Sequence, residues 1–319
     1  MEGQVDPNYS FWLFGPVGAS GVRVAKRQRS ERVSVSKSAI TTNRNGFRRD
    51  ISAPRFAVPA GACDSHMHIV GPLARYPFSE NRSLTPPQAT WEDYRATAAK
   101  LGLERCVIVQ PSFYASDNEC TLDAVSRSEG RARAVVVVEE NVTTATLRAM
   151  HERGARGVRA QMIAKGGLSF DALESVSARI ATFGWHLQLY LDSRDLPDLV
   201  GRLRRLPVPI VFDHMAQTLE SSGTNEPGFR ILLELLAEGR AWVKLSSAHF
   251  PPSSERARLL AQANPERILW GTDWPHVSCG DAVPDDGALL DALANWFPDE
   301  KLRTKALVDN PDRLYFQPA

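Results

Sequence analysis

Eight short runs of strongly β-forming residues recur between residues 56 and 319, each followed by a stretch of different character, and this alternation leaves few folds open. The runs are Gly61 to His66, Arg105 to Gln110, Ala132 to Val138, Gly157 to Met162, His186 to Leu191, Pro209 to Asp213, Trp242 to Ser246 and Ile268 to Thr272. Between them apolar residues fall near every 3.6 positions, as in Trp91 to Leu101, Thr143 to Arg153, Phe170 to Phe183 and Phe229 to Ala237, which predicts helices. Near-continuous apolar character means that each strand is covered on both faces. Eight such units predict an α/β fold, a closed (β/α)8 barrel of the TIM type, over 56–319. An open doubly wound sheet is the rival. Its usual glycine-rich phosphate turn after the first strand is replaced here by Asp64-Ser65-His66-Met67-His68.

The net charge of +1 hides an uneven distribution. Residues 1–55 carry eight Arg and two Lys against Glu2, Asp6, Glu31 and Asp50, a local balance of +6, which leaves −5 for the remainder. That segment is rich in Ser, Asn, Thr and Arg and lacks periodicity after Phe11 to Val17, so a disordered extension is expected. It has neither the hydrophobic stretch of a secretion signal nor the amphipathic pattern of a transit peptide. Nucleic-acid binding through this basic arm is a weak alternative, since no aromatic interleaving or folded basic module accompanies the charges. No run approaches 18 apolar residues, so no membrane span is expected. The four cysteines show no C-x-x-C spacing and read as reduced thiols of a soluble, cytoplasmic protein.

Chemistry in such a barrel sits at the C-terminal ends of the strands, and polar residues gather there. The first run ends with His66 and His68, the second with Gln110 and Ser112. The fourth carries Arg159 and Gln161, the fifth ends at Tyr190 and Asp192, and the sixth ends in Asp213-His214. Lys244, Ser246 and Ser247 belong to the seventh, and Gly271-Thr272-Asp273-Trp274-Pro275-His276 follows the eighth. An H-x-H pair on extended backbone turns both imidazoles to one side, because side chains alternate with a period of 2. His151, His186 and His249 have no such context and read as packing or surface residues; His186, at the start of its strand, should point to the opposite end of the barrel.

These motifs resemble the amidohydrolase superfamily, in its amidohydrolase-2 group with the pyrone dicarboxylate lactonases. The resemblance rests on Cys63-Asp64-Ser65-His66-Met67-His68-Ile69-Val70-Gly71-Pro72, Val109-Gln110-Pro111-Ser112, Arg156-Gly157-Val158-Arg159, Phe212-Asp213-His214-Met215, Val243-Lys244-Leu245-Ser246, Trp270 to His276 and Asn310 to Tyr315, spanning about 58–316. Residues 1–55 match nothing in that pattern. Superfamily members with two metals use the first-strand H-x-H, a Lys or Glu on strand 4, histidines on strands 5 and 6 and an Asp on strand 8. This sequence departs twice, offering Arg159 and Gln161 on strand 4 and Tyr190 on strand 5. An arginine repels a divalent ion. The resemblance therefore implies catalysis without a metal or other cofactor, with one Zn²⁺ held by His66, His68, His214 and Asp273 as the alternative.

Opening a lactone needs a base for water, donors for the carbonyl oxygen and a proton for the leaving oxygen. Asp273 is the expected base; His66, His68 and His214 are the expected donors. Arg159 and Lys165 match basic positions of the family and would bind a carboxylate on the substrate, with Ser112 and Tyr190 as further substrate contacts. Leu84 stands where the family has a tyrosine, and Ala248-His249-Phe250 lacks an arginine expected nearby. The expected activity is hydrolysis of a small anionic lactone, 2-pyrone-4,6-dicarboxylate or a related cyclic ester. The alternative is a single-metal hydrolase or decarboxylase of the same superfamily.

Overall fold

Each of the eight apolar runs forms a strand: β1 Cys63–Met67, β2 Arg105–Val109, β3 Ala132–Val136, β4 Ala155–Gln161, β5 His186–Tyr190, β6 Ile210–Phe212, β7 Ala241–Leu245 and β8 Ile268–Trp270. The computed structural model describes residues 46–162, 170–218, 223–246, 254–280 and 282–317. The strands form one parallel sheet in sequence order. It closes where Met67 bridges Trp274, with the Asp273 amide donating to His66 O at 2.8 Å and the His68 amide to Trp274 O at 2.7 Å. This is the closed (β/α)8 barrel that the sequence predicts. Most of residues 1–55, with the disorder and nucleic-acid readings attached to them, lie outside the described residues. Of that segment, Ser52 and Arg55 donate their backbone amides to Asp285 and Asp291.

The helices are α1 Trp91–Leu101, α2 Glu119–Ser126, α3 Thr144–Glu152, α4 Phe170–Ala181, α5 Leu196–Leu203, α6 Pro227–Ala237, α7 Ser254–Ala263, α8 Asp286–Trp296 and α9 Glu300–Thr304. In α1, Trp91, Tyr94, Ala98 and Leu101 recur at helical spacing and are buried against the sheet; Thr90 and Asp93 close its first turn as a reciprocal capping pair, and Gly102 ends it at φ 73°. Such helices cover the outward face of each strand, where Cys106 and Ile108 join the main core. The alternate residues Val107 and Val109 face inward, with Cys63, Val135, Val211, Trp242 and Leu269, and Tyr315 from the C-terminal segment packs among them. His186 lies edge-on to Tyr315 with ring centroids 5.2 Å apart. A Cβ at Gly157 would come within 2.3 Å of the His186 ring, so only glycine leaves room for it. His186 thus packs among the interior residues, as its place at the strand start implies. The four cysteines are buried thiols. No helix among the described residues is long and apolar enough to cross a membrane.

Candidate active site

Four side chains converge at the end of the barrel where the strands terminate. The Nε2 atoms of His66, His68 and His214 lie 3.5, 3.4 and 3.9 Å from the same atom, Oδ1 of Asp273. Two local devices aim them. Asp64, buried beside His66 in β1, accepts from the amides of His66 and Thr272 and from the hydroxyls of Thr272 and Tyr94, so one carboxylate ties β1 to the loop that carries Asp273. Burial pushes the Asp64 carboxyl up to about 6 against those four donors. A Cβ at Gly271 would lie 2.7 Å from His66 N, so this close approach of the two segments requires glycine. After β6 the chain takes a left-handed turn: His214, Met215, Ala216 and Gln217 all have φ between 50° and 55°. Each costs about 1–2 kcal/mol relative to ordinary backbone, and the turn holds His214 across from His66, with ring centroids 4.6 Å apart.

The other ring nitrogens decide what the imidazoles can do. His68 Nδ1 lies 2.7 Å from Val109 O, a carbonyl that only accepts, so Nδ1 carries a proton. His214 Nδ1 is 2.8 Å from Ser246 Oγ, which can accept or donate. His66 Nδ1 lies 3.1 Å from Asp213 Oδ1 and 3.5 Å from Lys244 Nζ. Burial holds His66 well below the usual histidine range and lowers His214 as well, which favours neutral rings. Burial also disfavours the Asp273 charge, but the imidazoles of His214, His68 and His66 outweigh it and hold the carboxyl well below the usual range.

A second layer of charge lies beneath these four. Arg159, on β4, donates from Nε to Asp213 Oδ2 at 3.0 Å and from Nη1 to Gln110 O at 3.3 Å, and its guanidinium lies 5.5 Å from the Tyr190 ring. No partner among the described residues takes its Nη2. Lys244 reaches from β7 to within 3.7 Å of Asp213 Oδ1, and burial pushes its amine down to about 8. Burial opposes the Asp213 charge, yet the cations around it, Arg159 and Lys244, hold that carboxyl well below its ordinary value. Tyr190 sits edge-on to His214, ring centroids 5.7 Å apart.

The structure therefore brings together Asp273, His66, His68, His214, Arg159 and Tyr190. Ser112 opens a short 3-10 turn after β2, with no hydrogen bond to the cluster among the described residues. Leu84 is half-buried, and Lys165 and His249 lie outside the described residues. Gln110 turns its amide away, donating to Ala115 O and Asp117 O and accepting from Thr121. In the sequence Asp213 and Lys244 stand at strand ends with no role to single them out, and Gln188 and Asp64 carry no sign of one either. The signal is present for Lys244: a cation between Val243 and Leu245, in a strand covered on both faces, has to be inside the barrel.

The model of the amidohydrolase family matches residues 63–317. The chain belongs to the amidohydrolase family. It is 37% identical to the 4-sulfomuconolactone hydrolase of Hydrogenophaga intermedia over 287 residues, covering 86% of this chain and 95% of that one. It is 36% identical to the 2-pyrone-4,6-dicarboxylate hydrolase of Comamonas testosteroni, covering 83% and 93%. A solved apo structure from Agrobacterium tumefaciens superposes with a TM-score of 0.76 at 32% identity, covering 84% of this chain and all of that one.

The residues of this amidohydrolase fit a divalent ion. His66, His214 and Asp273 each offer a ligand atom within 4.8 Å of the others, and His66 Nε2 is buried without a hydrogen-bond partner among the described residues. The proton on His68 Nδ1 leaves its Nε2 lone pair facing inward in the neutral ring. Three imidazoles and one carboxylate suit Zn²⁺.

Proposed function

We propose that this amidohydrolase hydrolyses a carboxylated lactone, with Asp273 as the general base. The observation that carries the reading is the convergence of three imidazoles on one buried carboxylate oxygen, with the Arg159 guanidinium behind them. The names of the two curated relatives, both lactone or pyrone hydrolases, support the substrate class.

In the free site the imidazoles suppress the basicity of Asp273. A lactone carbonyl that takes over the N–H groups of His66 and His214 relieves this, and the carboxylate then removes a proton from water as the oxygen attacks the carbonyl carbon. The ring C–O bond breaks, the proton on Asp273 passes to the departing oxygen, and the product leaves with a hydroxyl and a carboxylic acid, which releases its proton to water. Arg159, whose Nη2 has no partner among the described residues, holds a substrate carboxylate; Tyr190 and Ser112 supply hydroxyls around the ring.

A second reading is favoured by one observation, the protonated Nδ1 of His68. A neutral ring so placed offers a lone pair and no proton to the carbonyl, so His68 acts as a donor only as an imidazolium, or else as a ligand. Held by His66, His68, His214 and Asp273, a Zn²⁺ ion would supply Lewis-acid polarisation of the carbonyl.

The test is turnover of a lactone panel, 2-pyrone-4,6-dicarboxylate and uncharged sugar lactones included, by protein dialysed against chelator, with metal content measured on the same sample. Turnover of the carboxylated lactones by metal-free protein is expected. Activity that appears only with one equivalent of Zn²⁺ would replace the first reading by the second. Failure of every lactone under both conditions would refute the substrate class.

A further inference from the structure

Beneath the reacting groups lies a side chain to which hydrolysis as described gives no part. Lys244 is fully buried, and its Nζ donates to Gln188 Oε1 at 2.7 Å. The same nitrogen makes a long hydrogen bond, 3.5 Å, to His66 Nδ1 and lies 3.7 Å from Asp213 Oδ1. Asp213 Oδ1 is only 3.1 Å from that ring nitrogen, yet it has no hydrogen-bond partner among the described residues. As an ammonium, Lys244 carries three N–H donors and no lone pair, so it calls for an unprotonated Nδ1. The single proton of a neutral His66 then sits on Nε2, the nitrogen that faces Asp273. Facing both acceptors, Nδ1 and Oδ1, the amine offsets their mutual repulsion.

We propose that Lys244 is a positioning residue: by donating to Nδ1 it fixes His66 in the tautomer whose Nε2–H points at the reacting carbonyl. Gln188 holds the amine in place from the next strand but one. Without the amine, the nearest partner of Nδ1 is the Asp213 carboxylate, which accepts and selects the opposite tautomer. A lone pair would then face the carbonyl oxygen and repel it. The catalytic part of this inference rests on the lactone-hydrolase reading; the tautomer does not.

The experiment uses full-length protein labelled with ¹⁵N-histidine and dialysed against chelator, with long-range ¹H–¹⁵N correlation spectra and His66 assigned by comparison with His66→Gln. The expected wild-type signature is a protonated Nε2 and a bare Nδ1. In Lys244→Met the pattern should invert, and kcat should fall about 10²-fold or more while KM changes by less than about threefold. A wild-type His66 protonated on Nδ1, alone or on both nitrogens, would overturn the proposal, and this result needs no variant to fold. An unchanged tautomer in Lys244→Met would overturn it too. A correct tautomer and inversion in a protein that turns over no lactone would sink the hydrolase reading and leave the positioning role intact.

Discussion

Replacing Arg159 with methionine separates binding from folding in a way that can be worked out beforehand. The guanidinium is buried and shares Asp213 with His66 and Lys244. Breaking a buried ion pair by removing one partner typically costs about 3–5 kcal/mol. Because two other groups still face Asp213, the loss should fall near the lower end, about 3 kcal/mol, and the barrel should remain folded but melt earlier. The effect on substrate is separate. A charge-assisted hydrogen bond to a carboxylate contributes about 1.5–3 kcal/mol, which corresponds to roughly a 10- to 150-fold rise in KM. The assay compares a carboxylated lactone with an uncharged lactone of the same ring size in wild type and Arg159→Met, at a temperature where both proteins are folded. Loosening of the site would lower kcat/KM for both lactones alike; loss of a carboxylate contact lowers it for the charged one only. An unchanged ratio between the two substrates would refute Arg159 as the anion-binding group.

Asp273→Asn should lower kcat by about 10²- to 10⁴-fold while calorimetry still detects substrate binding, and near-normal turnover would remove Asp273 as the base. His186 is depressed by burial, and further by Lys244, to about 3 from an ordinary 6.5. The folded state thus refuses a proton that the unfolded chain accepts. The stability this contributes is complete above pH 6.5 and is lost progressively as the pH falls towards 3, up to about 5 kcal/mol. Urea titrations at pH 7, 6, 5 and 4 should show a steeper acid loss for wild type than for His186→Leu, by about 1.4 kcal/mol per pH unit, and parallel curves would contradict it.

The sequence is most informative where burial acts on whole runs of residues. The apolar runs predict all eight strands to within about two residues, since a strand covered on both faces can hardly read otherwise. Where they overshoot, function explains it. The sixth run includes Asp213 and the eighth includes Gly271-Thr272, but β6 ends at Phe212 and β8 at Trp270, and the chain leaves the ladder there to deliver Asp213, His214 and Asp273. The left-handed turn at His214 to Gln217 has no signal in the sequence. Glycine or asparagine ordinarily marks such backbone, and neither occurs there; the surrounding packing imposes it. His66, His68, His214 and Asp273 are legible as a set because they fall at strand ends. Their hydrogen-bond partners are not, since which nitrogen of a ring carries the proton depends on Val109 O, Ser246 Oγ and Lys244 Nζ, brought in from β2 and from β7 and its end.

The charges under the site form a unit, and their coupling can be measured. Arg159 and Lys244 are buried cations that share one carboxylate, Asp213, which has no access to water. Taken alone, Asp213→Asn leaves two buried cations without their counter-ion, and Arg159→Met leaves the carboxylate short of its closest partner. Each single change therefore carries the cost of an unbalanced charge as well as a lost contact. In the double variant Lys244 keeps Gln188, and neither the guanidinium nor the carboxylate remains to be balanced. The sum of the two single losses should then exceed the double loss by about 1–3 kcal/mol, a coupling of the size expected for directly contacting residues. Chemical unfolding of the four proteins at one pH closes the cycle. Additive losses would mean that Asp213 and Arg159 are balanced independently, and that the charges beneath the imidazoles do not act together.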